Sequence, residues 1–142
     1  TCAVLLDAAL AVAVGRTDAP ALVARLDALA FTEAVAGDAA TYAPVLIARL
    51  RSRLGDAAGA LAAVRKRVYM VGWPRYLATA LREEGGYAVA AGAPALARQA
   101  YERFLVMRAD ADTELAPETD AVRRALATLP EPPDSARRAP RN

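Results

Sequence analysis

Histidine is absent from this chain of 142 residues, and four other residue types on which active sites depend are nearly so. There is one cysteine (Cys2), two serines (Ser52 and Ser135), one asparagine (Asn142) and one glutamine (Gln99). Without imidazole, neither a Ser-His nor a Cys-His nucleophile can be assembled, and the common zinc ligand sets are lost as well. The expectation is a protein that is not an enzyme and carries no metal or cofactor. A lone cysteine cannot close an internal disulfide, so the fold must be held by packing, and the redox compartment stays open. Long apolar runs are also missing: charge or glycine breaks every one, Ala8 to Gly15 among them, well short of the ~18 residues that span a bilayer. The expectation is therefore a soluble or peripheral chain with no transmembrane segment. No basic-then-apolar leader opens it, and Thr1 reads as a processed end or as the start of a fragment.

What the chain does contain is alanine, roughly a quarter of all residues, followed by leucine, arginine and valine. These are mostly strong helix formers, and at 56% hydrophobic the chain can bury one compact core, so an all-α domain is expected. The net charge of +2 conceals an uneven distribution: residues 1–48 sum to −3, 49–75 to +6, 76–120 to −4 and 121–142 to +3. A nucleic-acid binder needs a stronger basic excess with interleaved aromatics, so no nucleic-acid partner is expected.

Apolar spacing and breakers predict seven helices. Leu5, Ala8, Ala9 and Val12 form a first stripe that stops at Gly15, and a second helix follows Thr17-Asp18 with Leu22, Leu26 and Leu29 on one face. A third, from Ala40 to Leu54, ends at Gly55; Asp56 caps a fourth, whose stripe is Ala60, Leu61, Val64 and Val68. Pro74 is placed at the first position of a fifth helix that Gly92 ends, and Pro94 opens a sixth with Ala97, Ala100, Tyr101, Phe104 and Met107 on one side. The seventh starts near Pro117 and ends before Pro130, beyond which four prolines and three arginines predict a mobile tail over 130–142.

Gly15, Gly55 and Gly92 each fall between two helices, 40 and then 37 residues apart, which is a helix-turn-helix period. The unit at about 78–110 resembles a tetratricopeptide repeat: small Gly85 in its first helix, Gly92 at the turn, then Ala97 and aromatic Tyr101 in its second. In the unit at 41–72, Ala48, Gly55 and Ala60 fit the same pattern, with Val64 for the aromatic; the unit at 1–36 fits at Ala8 and Gly15 alone. The stretch from Leu54 to Leu129 is also similar to the helical repeats that follow many bacterial serine/threonine kinases and transcriptional regulators. None of the kinase motifs is present. The resemblance implies a short right-handed α-solenoid of three helical pairs over residues 1–129, with residues 117–129 as a C-terminal capping helix, in a regulatory or scaffolding role.

Other groupings are expected to be structural. Adjacent Glu83 and Glu84 point about 100° apart on a helix and cannot share a proton, so they belong to a solvated face. Asp110, Asp112 and Glu114 lack the glycine and the later glutamate of a calcium loop. Gly55 and Gly59 have a membrane-dimer spacing in too charged a segment, leaving close packing as their role. Arg65-Lys66-Arg67 suits a helix C-terminus.

Partner binding is the function left open. In the tetratricopeptide register, Tyr42, Arg49 and Arg53 fall on the groove side of one first helix and Arg82 on that of the next. Three guanidiniums with an aromatic can hold a partner's carboxylates, so an acidic or C-terminal segment is the expected ligand. The same arginines could equally be a solvated face bridged to Glu83 or Glu84. Tyr69, Trp73 and Tyr76 around the break could anchor a partner instead or wedge between helical units. The expected role is a non-enzymatic protein-protein interaction or scaffold module of a larger protein or complex. The alternatives are an accessory subunit clamping a larger assembly, placed at a membrane surface by its basic middle, and a small-molecule sensor attached to an enzyme.

Overall fold

The computed structural model describes residues 2–30, 38–67 and 76–131, and the regular structure among them is entirely helical. The α-helices are α1 (Cys2–Ala13), α2 (Ala19–Ala30), α3 (Asp38–Arg53), α4 (Ala57–Arg65), α5 (Leu77–Ala90), α6 (Pro94–Met107) and α7 (Ala116–Ala127), the last preceded by a 3-10 turn at Thr113–Leu115. The all-α expectation holds. Among the described residues no helix is long and apolar enough to cross a membrane.

Three helix ends share one geometry. Gly15, Gly55 and Gly92 adopt φ of 70°, 79° and 70°, a left-handed conformation that costs glycine nothing and other residues strain. Each glycine N–H bonds the carbonyl three residues back, to Val12, Ser52 and Val89. The next residue's N–H reaches five back: Arg16 to Ala11, Asp56 to Arg51 and Ala93 to Ala88. This pair of bonds satisfies carbonyls that a helix end would otherwise orphan, and it turns the chain back on itself. Asp56 then caps α4, its Oδ1 accepting from the Gly59 N–H at 2.8 Å, and Pro94 opens α6 where a missing N–H costs nothing.

Each helix packs chiefly on its neighbours in the chain, and α1 also meets α3. Two buried clusters result. One draws Ala8, Val23, Leu26, Ile47, Ala48 and Val64 from α1–α4 together with Ala80 of α5. The other gathers Leu81, Ala97, Tyr101, Phe104 and Val122 from α5–α7 together with Leu61 of α4. Tyr87 packs against both, so the clusters are continuous through α5. Two contacts between α3 and α5, Tyr42 with Tyr76 and Arg49 with Glu83, each join residues 34 apart. A constant offset at two points seven residues apart on each side means that these segments run parallel.

Several expectations need correction. The fifth helix starts at Leu77, with Tyr76 at its N-cap, and not at Pro74, which with Val68, Tyr69 and Trp73 lies outside the described residues. Met107 is exposed, at the last residue of α6. At Gly55 a Cβ would meet nothing within 4 Å, so it marks no close packing, and at Gly59 the nearest atoms to a Cβ are those of the Asp56 carboxylate of its own cap. The tail's first residues are held, since Arg98 Nη2 donates to the carbonyl oxygens of Leu129 and Pro130 at 3.3 and 3.0 Å; residues 132–142 lie outside the described part.

Candidate partner-binding face

On α3, Tyr42, Arg49 and Arg53 are seven and eleven residues apart, within about 40° of one another around the helix axis. Tyr42 meets the Tyr76 ring edge-on, with centroids 4.4 Å apart and planes at 74°. Arg49 forms a fork with Glu83 on α5, Nε lying 3.0 and 3.1 Å from the two carboxylate oxygens and Nη2 2.6 Å from Oε1. Hydrogen bonding to that carboxylate raises the Arg49 pKa above its ordinary value, so its charge is fixed at any physiological pH. The Tyr87 hydroxyl donates to Glu83 Oε2 at 3.2 Å; burial first, and then the carboxylate's charge, push the Tyr87 pKa up to about 12.

Arg82 continues the row. Its Nη1 bonds Glu118 of α7, and its Nη2 lies 3.9 Å from Glu83. Arg108, at the end of α6 and 5.9 Å above the Phe104 ring, sits 3.9 Å from the other Glu118 oxygen. Arginine and glutamate thus alternate across three helices, with Arg49 and Arg82 solvent-facing at 47% and 40% side-chain exposure against 14% for Glu83. Arg53, one turn beyond Arg49, is exposed and makes no ion pair among the described residues. Four guanidiniums therefore face two carboxylates, and the excess of positive charge lies toward Arg53.

The structure brings together Arg49 and Arg82, both on Glu83, and sets Tyr42 and Arg53 on the same side of α3; Trp73 lies outside the described residues. Sequence spacing missed Glu118 and Arg108, and it named Tyr76 without its contact to Tyr42. A period near 34 would have found two of these pairings: Tyr42 plus 34 is Tyr76, and Arg82 plus 36 is Glu118. Glu84 corrects the expectation of a solvated acidic pair. It is only 6% exposed, with Arg67 Nη1 2.6 Å from its Oε2 and Arg65 Nε 3.5 Å from its Oε1. A carboxylate buried to that extent needs such partners, and α4 ends beside it to supply them.

Two more cations of the basic middle are similarly engaged. Arg51 and Lys66 both hold Asp27 at 2.9 Å, tying α2 to α3 and α4, and Arg51 also reaches Asp56 at 2.8 Å. Among the described residues no group of three histidine, cysteine, aspartate or glutamate side chains could hold a metal ion. Compared with known protein families, curated proteins and solved structures, the chain gives no match.

Proposed function

We propose that this chain is a non-enzymatic protein-interaction module, a short right-handed solenoid of tetratricopeptide-like helical pairs that binds an acidic or carboxylate-terminated segment across α3, α5 and α7. Three identical glycine turns, 40 and 37 residues apart, together with packing in chain order support the repeat architecture, because one turn recurring at such intervals is the mark of stacked helical pairs. Gly85 under the Tyr101 ring supports it too, since the resemblance pairs a small residue with an aromatic there. The observation that carries the binding proposal is Arg53: an exposed guanidinium with no ion pair among the described residues, one turn from the half-exposed Arg49 fork. A partner carboxylate placed on Arg53 gains a charge-assisted bond that it need not share with a described internal acid, while Arg49 is shared with Glu83. The membrane-surface alternative loses support, because Arg51, Arg65, Lys66 and Arg67 are already engaged by Asp27, Asp56 and Glu84.

A labelled glutamate-rich peptide ending in a free carboxylate tests this by fluorescence anisotropy. Affinity should fall as salt is added and fall several-fold with Arg53→Ala, which leaves the melting temperature unchanged. Glu83→Gln should strengthen binding by releasing Arg49. Arg49→Ala is a poorer probe, since it also strips a nearly buried carboxylate of its fork and so lowers stability. Affinity that ignores both salt and Arg53→Ala but drops with Trp73→Ala would transfer the contact to the aromatic break.

A further inference from the structure

Glu118 stands between two arginines and serves them unequally. Its Oε1 accepts a hydrogen bond from Arg82 Nη1 of α5, whereas its Oε2 is 3.9 Å from Arg108 Nη2, beyond hydrogen-bond reach. Arg108 Nε is buried without an acceptor, and among the described residues the Arg108 side chain makes no hydrogen bond at all. Arg51 also leaves its Nε without an acceptor, but its two Nη atoms are bonded to Asp27 and Asp56 at 2.9 and 2.8 Å. An exposed guanidinium such as that of Arg53 is met by water; a buried N–H left without an acceptor is costly.

Packing decides which of these groups can move. The Arg108 guanidinium lies 5.9 Å above the ring of fully buried Phe104 and its side chain is 28% exposed, so it is held in place. Glu118 projects from the first turn of α7 on a side chain free to change rotamer, and Arg82 is the solvent-facing member of their pair. A fork on Arg108 Nε and Nη2, like the one that Arg49 makes with Glu83, requires both Glu118 oxygens, and Oε1 is committed to Arg82. The carboxylate can satisfy one arginine fully, but not both.

We propose that Glu118 is an exchangeable internal ligand, which fills Arg82 in the free chain and passes to Arg108 when a partner's carboxylate takes Arg82. This rests on the reading of α3, α5 and α7 as an acidic-segment site and adds a second carboxylate subsite to it. The exchange leaves no acid unpaired: Glu83 keeps Arg49, Glu118 gains Arg108 and the partner's carboxylate gains Arg82. It also gives the buried Arg108 Nε an acceptor, which offsets loss of the Arg82–Glu118 bond. The partner is thus a segment with two carboxylates, one for Arg53 and one for Arg82, and the movement is confined to side chains.

Arg108 touches no ligand in this scheme and acts through Glu118, as a positioning residue. A double-mutant cycle separates that role from direct contact, read by anisotropy with the labelled glutamate-rich peptide. Glu118→Gln loosens the hold on Arg82 and should tighten binding about 5-fold. Arg108→Lys keeps the charge but removes the Nε–H fork, and should weaken binding about 3-fold in the wild type and not at all in the Glu118→Gln background. Unchanged affinity in Glu118→Gln, or an Arg108→Lys effect that persists without Glu118, would overturn the proposal. A second measurement needs no peptide: the Arg108 Nε–H resonance should move downfield in Arg82→Gln, where Glu118 is free to pass across. If it stays in place there, the exchange does not occur, while Arg53-dependent binding still stands. Movement in Arg82→Gln, with no salt-dependent peptide binding to the wild type, would uphold the exchange and sink the acidic-segment reading instead.

Discussion

Among the described residues the cluster beneath α1–α4 holds no fully buried aromatic ring: Ile47, Val23 and Val64 fill it, with Ala8, Ala48 and Ala60 at its small positions. The cluster beneath α5–α7 is built around Tyr101 and Phe104, and the Tyr101 ring lies so close over Gly85 that a Cβ there would come within 2.1 Å of it. Counted from the turn glycine, Ala48 corresponds to Gly85 and Val64 to Tyr101. Alanine with valine in one pair stands where glycine with tyrosine stands in the other. The turn thus fixes how two helices pair, and side-chain volume is traded across the contact to fill what the turn leaves.

Truncation should expose the difference most strongly. Phe104 and Ile47 are both fully buried, but Phe104→Ala removes a whole ring and should cost about 3–5 kcal/mol, against about 1 kcal/mol for Ile47→Val, as chemical denaturation would show. Similar losses for the two would mean that the C-terminal cluster does not rest on its aromatics. Overpacking should then show the two pairs to be alike. Ala60 and Ala97 each lie five residues past a turn glycine with no exposed surface, so Ala60→Leu and Ala97→Leu should each cost about 1–3 kcal/mol. If either is neutral, the shared register is wrong.

Adjacent glycines sharpen the comparison further. Gly85→Ala must displace the buried Tyr101 ring and should destabilise by about 1–3 kcal/mol despite alanine's better helix propensity. Gly86→Ala meets nothing within 4 Å and should stabilise by about 1 kcal/mol from propensity alone. Thermal melts of the two variants should move in opposite directions. The effect confined to high pH concerns Tyr87, where the clusters meet. Its folded-state pKa is raised from 10.0 to about 12, so the neutral hydroxyl is favoured in the fold. That contribution is fully present below about pH 10 and is lost as pH climbs toward 12, because the unfolded tyrosine ionises first. Tyr87→Phe should flatten the decline in stability over this window.

Helix positions were legible in the sequence wherever a local signal set them. The three turn glycines, the Asp56 cap and Pro94 each act within a few residues, and each helix end they predicted is found within a few residues of its place. Pro74 misled, because a proline favours a helix start without fixing which residue begins the hydrogen bonding; Leu77 does so here. The face of α3 was legible because seven and eleven residues bring Tyr42, Arg49 and Arg53 to one side. Of its acidic counterweight, Glu83 was legible as a bridge for these arginines, and Glu118 was not. The pairing of Arg82 with Glu118, and the burial of Glu84 against Arg65 and Arg67, depend on which helix comes to lie beside which, information that local spacing does not hold.

The claim that the first helices form the binding face is tested most directly by amide NMR spectra of the isotope-labelled chain, titrated with the glutamate-rich peptide bearing a free carboxylate. Resonances of Arg49, Arg53, Arg82 and Glu83 should shift together and saturably, while those of α2, α4 and α6 stay in place. Shifts confined to α1 or to the Trp73 indole, or none at peptide concentrations up to about millimolar, would contradict it.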